Sequence, residues 1–474
     1  MRCHSVFALL ACLIVPVVAQ AQQGKAPTRP NILFCIADDW SWPHAGAYGD
    51  KVVKTPNFDK LVAEGMRFDR AYCVSPSCTP SRGAILTGQW IHRLEDGGNL
   101  WSMLAKQYVT YPDLLEAAGY AVGLTGKGWG PGNFKEAGRD RNPAGPTGKN
   151  FPEFLAGVPA DKPFCFWYGS TDPHRPYEPG IGVKAGLKLE DVQVPPIFPD
   201  NATVRGDILD YYARVQRFDA QLGTMLKALE ESGRAANTLV IVTSDNGMPF
   251  PRCKANLHDS GTHMPFAVRW PGKVKAGRTS TAFVSLSDVA PTVLEAAGVK
   301  VPAEMTAKSL LPVLTTEDKP VGREHVFVER ERHANVRKGN LSYPARAVRT
   351  ETHLYIRNLR DDRWPAGDPE LFFAVGPFGD IDGGPTKDVI LAMPESKFFG
   401  YACAKRPAEE LYDCQADPWQ LTNLADKPEH AAVKAKLRAT LDQWMTATAD
   451  PRAGKDGGDD RWDKLRYFGG AAKK

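Results

Sequence analysis

The sequence predicts an α/β fold in which a large mixed, mainly parallel sheet is sandwiched by helices, followed by a smaller C-terminal α+β domain. Two observations carry this. From Asn31 onward short apolar runs alternate with helical patterns, as expected of strands joined by helical crossovers. After about Glu331 the alternation gives way to shorter strand-like runs, Arg346 to Thr350 and His353 to Asn358, separated by loops rich in Gly, Pro and Asp. At 474 residues the chain exceeds the roughly 250 to 300 residues at which a single core stops growing. The expected division is a leader over 1–21, a main domain over 22–335, and a subdomain over 336–474 with antiparallel strands and a terminal helix.

The leader reads as a secretory signal. Arg2 and His4 precede an apolar run from Val6 to Ala19, and Ala19-Gln20-Ala21 offers a cleavage site. Leu9-Leu10-Ala11-Cys12 has some likeness to a lipoprotein cleavage box, but Cys12 sits midway through the apolar run. No later segment holds the roughly 18 unbroken apolar residues of a membrane helix, so the expectation is a secreted or periplasmic protein without membrane insertion.

Four strand patterns then end in polar residues. Asn31 to Ala37 runs into Asp38-Asp39, and Ala121 to Thr125 leads to Lys127. Phe164 to Tyr168 leads to Asp172-Pro173-His174, and Thr238 to Val242 to Ser244-Asp245-Asn246-Gly247. In open α/β sheets ligands bind outside the carboxyl ends of strands, so these residues are expected to converge. Between them, Thr55 reads as the N-cap of a helix opened by Pro56 and stopped near Gly65. Ile208, Tyr211, Val215, Phe218, Leu222, Met225 and Leu229 step by three or four along a long core-facing helix from about Gly206 to Glu231. Asp219 and Arg217 on it read as solvated or capping neighbours. The last helix is expected from about Pro428 to Ala447, with Leu437, Leu441 and Trp444 on one face.

Composition is that of an ordinary globular protein, 43% apolar and 24% charged, and a formal charge of +4 argues for no nucleic-acid partner. Of nine cysteines, Cys3 and Cys12 fall in the leader and seven remain. An odd number in an exported protein flags one with another use. Cys35 and Cys165 sit in strand-like runs as core thiols, and Cys403 with Cys414 could form a local bridge.

The residue types already point to chemistry. Asp38, Asp39, Asp245 and Asn246 supply hard oxygen donors at two strand ends, which suit calcium or magnesium rather than zinc or copper. One such Asp pair alone would more often be a turn; two strand ends finishing this way favour a metal site.

Cys78-Thr79-Pro80-Ser81-Arg82, followed by Leu86-Thr87-Gly88, matches a maturation signal. On these residues, together with the Asp and Asn pairs, the chain resembles the formylglycine-dependent sulfatases of the alkaline-phosphatase-like superfamily. The resemblance implies that a formylglycine-generating or other sulfatase-maturing enzyme oxidises Cys78 to formylglycine, whose hydrate is an oxygen nucleophile. It implies one calcium ion held by Asp38, Asp39, Asp245, Asn246 and the modified Cys78, acidifying that hydroxyl. Arg82 would orient the modified residue, Lys127 and Lys254 would bind sulfate oxygens, and His174 would be the general acid. Arg175, Trp129, Glu95, His258 and His263 are candidate pocket residues for a sulfated saccharide, as are Asn99 and Trp101.

Asp172-Pro173-His174-Arg175, Thr243 to Pro251, Leu341-Ser342-Tyr343-Pro344 and Glu410-Leu411-Tyr412-Asp413 are similar to the sulfamidase, or heparan N-sulfatase, branch. That implies N-sulfoglucosamine on heparan or heparin fragments as substrate. Three departures stand against a full match, one of them the differing loop from Leu257 to His263. The family commonly has His two residues after the lysine, where this chain reads Gly126-Lys127-Gly128-Trp129, and the branch has arginine in the place of Lys254. An O-sulfated polysaccharide such as an algal glycan therefore stays open as substrate. Phosphonate or phosphate monoester hydrolysis is disfavoured by Asn246, since phosphatase relatives commonly build a second metal site there. A silent carbohydrate-binding protein would result if Cys78 were never converted.

Overall fold

A computed structural model describes residues 29–148, 150–316, 322–373, 376–454 and 457–470. The leader expected over 1–21 lies outside the described residues. Strands β1 (Asn31–Ala37), β2 (Met66–Tyr72), β3 (Ala121–Gly126), β4 (Phe164–Gly169), β5 (Thr238–Ser244), β6 (His263–Arg269) and β7 (Arg278–Ser280) form one sheet in the order β3-β4-β1-β5-β6-β2-β7, with β8 (Val284–Ser285) beside β2. Every neighbouring pair is parallel except those made by β6, which runs against both β5 and β2.

Strand β1 shows why this sheet lies between two helical layers. Leu33, Cys35 and Ala37 enter one apolar cluster, and Ile32, Phe34 and Ile36 enter another. Alternate side chains point to opposite faces, and both faces are buried, so the strand reads as an unbroken apolar run. The first layer is anchored by helix Ala202–Glu231, whose Asn201 side chain caps it by accepting from Val204 N at 3.0 Å. Leu222 and Phe218 of that helix are buried against the sheet; truncating Leu222 to Ala would cost about 2–5 kcal/mol.

The helix Pro56–Ala63 is capped differently from the sequence expectation. Thr55 makes no side-chain cap; its hydroxyl instead donates to Asp59. Asp219, from the long helix, accepts from the amides of Asn57 and Phe58 at 3.1 and 2.8 Å and so caps from a distance. Arg217 stays half exposed, as expected of a solvated residue, and also pairs with Asp172, with Nη2 2.8 Å from Oδ1.

A second sheet, antiparallel, has the order β12-β11-β10-β9, from β9 (His325–Arg330), β10 (Ala345–Thr350), β11 (His353–Asn358) and β12 (Glu409–Asp413). One of its faces packs Val348, Tyr355 and Leu411 with Leu437, Leu441 and Trp444 of helix Ala431–Ala447 and with Ala84 and Ile91 of the main body. The other packs Ala347, Leu354 and Ile356 against Leu257. All seven cysteines among the described residues are free, so the bridge expected between Cys403 and Cys414 is not formed. Among the described residues no helix is long and apolar enough to cross a membrane.

Candidate functional site

The register of the sheet brings the polar strand ends together. Ala37 on β1 pairs with Ser244 on β5, so Asp38-Asp39 and Asp245-Asn246 leave the sheet side by side. Asp39 N donates to Asp245 Oδ1 at 3.1 Å, and Asn246 Nδ2 to Asp39 Oδ1 at 2.6 Å. Asp39 adopts a left-handed conformation, φ 76°, which Asp tolerates better than most residues. On the other side, β3 lies two strands from β1. There the chain needs glycine at two positions: a Cβ on Gly169 would lie 1.7 Å from the Lys127 carbonyl oxygen, and one on Gly126 2.0 Å from that of Gly169. This close approach sends Lys127 across the sheet end, where Nζ meets both Asp38 oxygens at 2.7 Å.

Cys78 opens helix Cys78–Thr87, which points its N-terminus at the carboxylates. Its Sγ lies 3.6 Å from Asp38 Oδ1 and 4.0 Å from Asp39 Oδ1. One turn on, Arg82 shares that face of the helix, and its guanidinium is fully buried. It bonds Asp245 Oδ2 at 2.7 Å and the Lys127 and Gly128 carbonyls at 2.7 and 3.1 Å, and Nη2 lies 3.5 Å from Asp38 Oδ1. Arg82 therefore ties the ends of β1, β3 and β5 to the helix that carries the cysteine.

Lys254 enters from a loop bent by two residues with positive φ, Arg252 and Ala255, both at 64°. Its Nζ is 2.8 Å from Asp39 Oδ2. His174 Nδ1 donates to the Arg175 carbonyl, which can only accept, and this leaves Nε2 facing the site 3.8 Å from Asp39 Oδ2. The floor is closed to solvent while His174 and Lys127 are 34% and 18% exposed, so the opening lies on their side.

Electrostatics follow from this packing. Burial works to raise the Asp38 carboxyl, but Lys127 and then Arg82 hold it well below the usual carboxylate range. Burial raises Asp39 by more than Lys254 and His174 offset, with Asp38 and Asp245 adding to the rise. The Cys78 thiol is pushed well up by burial, against the pull of Lys127 and Lys254. Asn246 Oδ1 is buried without a hydrogen-bond partner. Three carboxylates and an orphaned amide oxygen crowded together are a donor set that fits a hard dication, and the unmet Asn246 oxygen is costly without a partner.

Several expected pocket residues are elsewhere. Trp129 is buried in the core, its indole nitrogen 3.6 Å from where a Gly83 Cβ would stand, and is no sugar platform. Glu95 lines a different cavity of about 400 Å³ with His92 and Tyr108. His258 is buried near Glu410 and Tyr412, and burial holds its imidazole down at about 3. His263 is stacked between Trp42 and Tyr72, donates from Nε2 to the Asp69 carbonyl, and is held by burial at about 4. Arg175 is spent on a bidentate pair with Asp207, at 2.8 and 2.7 Å. Asn99 is buried, accepting from Arg332 N, and Trp101 contacts Tyr467.

Two residues at the site had no sequence signal. Asp382, in a Gly- and Pro-rich loop, has Oδ2 3.2 Å from Lys254 Nζ; burial would raise its carboxyl, but Lys254, His174 and His333 hold it well below the ordinary range. His333 Nδ1 is 2.8 Å from the hydroxyl of Ser77, which precedes Cys78, and burial lowers its imidazole to about 4.

Known proteins bear on this geometry as follows. The Sulfatase family profile matches residues 30–299, and the profile described as N-sulphoglucosamine sulphohydrolase, C-terminal, matches 253–368. An ulvan-active sulfatase of Formosa agariphila is 30% identical over 444 residues, covering 89% of this chain and 81% of that protein. Human N-sulphoglucosamine sulphohydrolase is 30% identical over 492 residues, covering 90% and 92%. Among solved structures, BT4656 in complex with its substrate D-glucosamine-2-N,6-O-disulfate has a TM-score of 0.66 at 21% identity, covering 90% of this chain and 99% of that one.

Proposed function

This chain belongs to the sulfatase family, and from that premise we propose that it is an exported, calcium-dependent enzyme that releases sulfate from N-sulfoglucosamine in heparan or heparin fragments, through a nucleophile made from Cys78. One observation carries the reading of the site: Cys78 Sγ lies against Asp38 and Asp39, in a ring closed by Asp245 and the orphaned Asn246 Oδ1. The substrate reading is supported by the C-terminal profile match over 253–368 and by the human relative. Export rests on the sequence pattern of residues 1–21.

In this reading Asp38, Asp39, Asp245, Asn246 and residue 78 would hold the calcium, which supplies positive charge that acidifies a hydroxyl and offsets that of sulfate. Oxidation of Cys78 by a sulfatase-maturing enzyme supplies formylglycine, whose hydrate offers that hydroxyl as nucleophile. The protein's own residues do the rest. Arg82 fixes the carboxylates and the helix that bears residue 78 relative to one another. Lys127 and Lys254 carry ammonium groups at two edges of the floor, where they take up non-bridging sulfate oxygens as charge develops on the leaving side. His174, its Nδ1 proton committed to a carbonyl, presents Nε2 at the open side, and the ring's second proton, carried on Nε2, is the one that passes to the leaving nitrogen or oxygen.

The test is sulfate release by the matured enzyme from N-sulfoglucosamine at a non-reducing end, from 6-O- and 2-O-sulfated sugars, and from sulfated algal oligosaccharides. Release from the N-sulfated sugar alone is expected. Release only from an O-sulfated sugar would keep the mechanism and overturn the substrate.

A further inference from the structure

One acidic side chain at the open side of the site has no part in the mechanism above. Asp382 Oδ2 lies 3.2 Å from Lys254 Nζ, and its carboxylate, the His174 imidazole and Asp39 each bring an atom within 4.8 Å of the others. The side chain is 26% exposed although Oδ2 itself is covered. The accessible part is thus the remainder of the side chain, close to the partly exposed His174.

The loop that carries Asp382 is held from both ends. Asp380 is buried and accepts from Ala334 N at 2.9 Å and from Arg330 and Arg337 at 2.7 Å each. Thr386 donates its amide and hydroxyl to Asp207 Oδ2 at 3.1 and 2.6 Å, the same carboxylate that takes the guanidinium of Arg175. Arg175 adjoins His174, so one buried acid fixes the His174 loop and the Asp382 loop to each other. Between them Gly384 is needed for contact, because a Cβ there would lie 2.4 Å from Arg175 Nη1. Such a rigid mounting is what a side chain that discriminates between ligands requires.

A carboxylate beside Lys254 and His174 is of no use to sulfate, which it repels. Lys254 pairs with it already, and it can also accept from a donor on the ligand; a site built around such a contact strongly rejects ligands that lack the donor. The geometry points to Asp382 as the residue that selects the sugar, accepting a hydrogen bond from an amine or hydroxyl next to the reacting sulfate. The assignment rests on the sulfatase reading of the neighbouring residues. It also predicts rejection of sugars that carry a second sulfate at that neighbouring position, since like charges would meet there.

Calorimetric binding in a Cys78→Ala background reads this without turnover. The ligands are N-sulfoglucosamine, glucosamine 6-sulfate and methyl sulfate, the last having no neighbouring donor. Adding Asp382→Asn is expected to weaken at least one of the two sugars about tenfold or more, and Asp382→Ala further, while methyl sulfate stays within about twofold. Equal weakening of sugar and methyl sulfate, or no weakening of either sugar, would overturn the assignment. Absence of sulfate release by the matured wild-type chain from every sugar would sink the sulfatase reading instead, and the binding difference would still decide Asp382.

Discussion

Two buried clusters of charge in this molecule look alike in composition and differ in completion. At the second sheet, Glu329, Glu331 and Asp450 gather around Arg346 and Arg452, with all five side chains closed to solvent. Every carboxylate there has its partners. Arg346 reaches Glu331 at 2.8 Å and Asp450 at 2.6 Å, Arg452 reaches Glu331 at 2.8 Å, and Glu329 takes Ile91 N at 2.7 Å and His92 at 2.8 Å. His92, Glu329 and Asp450 are close enough to hold a metal ion, yet Arg346 already supplies the positive charge. At the strand ends, by contrast, three carboxylates converge, Asn246 Oδ1 is left without a partner, and burial raises Asp39 despite Lys254. Saturated buried charge is architecture; buried charge with an unmet oxygen is a place prepared for something else.

The largest effect expected from breaking that contrast is at the nucleophile. Cys78→Ala should lower sulfate release on the order of 10⁴-fold or more while the melting temperature hardly moves. Release at the wild-type rate would remove Cys78 from the mechanism. Lys127→Ala should cost about 10²–10³-fold in turnover, as for loss of one group that stabilises transition-state charge; steady-state rates check this, and an unchanged rate excludes the assigned role.

Arg346→Ala should behave in the opposite way. It takes the guanidinium from Asp450 and leaves Glu331 with Arg452 alone, which costs about 3–5 kcal/mol in denaturant melts, with turnover per folded molecule unchanged. Loss of activity without loss of stability would show that this cluster is no mere scaffold.

A smaller effect concerns pH. Burial holds His258 at about 3 and His263 at about 4, below the unfolded value near 6.5. The unfolded chain then binds protons the folded one refuses, so this stabilisation is full above about pH 6.5 and is lost as pH falls toward 4. Melting temperature should therefore drop between pH 7 and 5, and His263→Gln should flatten that drop. An identical slope in the variant would contradict the assignment.

Much of this contrast was readable in the sequence on one side only. The sheet was legible because β1 and β5 are buried on both faces and so appear as apolar runs that stop at acidic residues, and Cys78 to Arg82 was legible through its resemblance to the sulfatase maturation signal. Lys254 and His174 arrive where adjacency to strand ends suggested. His258 and His263 do not, because the turn through Arg252 and Ala255 sends Lys254 into the site and carries the chain behind it toward the second sheet and β2. Trp129 follows Lys127 closely, yet the backbone turn at Gly126 puts its ring into the core. Asp382 and the Arg346 network were invisible for a different reason. Each is made by residues far apart in the chain whose types are ordinary for loops and strand faces, and only packing reveals which charges meet. The same holds for Asp219, whose capping of Pro56–Ala63 replaces the local cap that Thr55 suggested.

The most direct test of the central claim is sulfate release by the matured enzyme in excess chelator and after calcium is restored, with folding followed by circular dichroism in the same samples. If the strand-end cluster is a site completed by a hard dication, release stops in chelator, returns with calcium, and the fold persists throughout. Undiminished release in excess chelator, with the protein folded, would contradict the account.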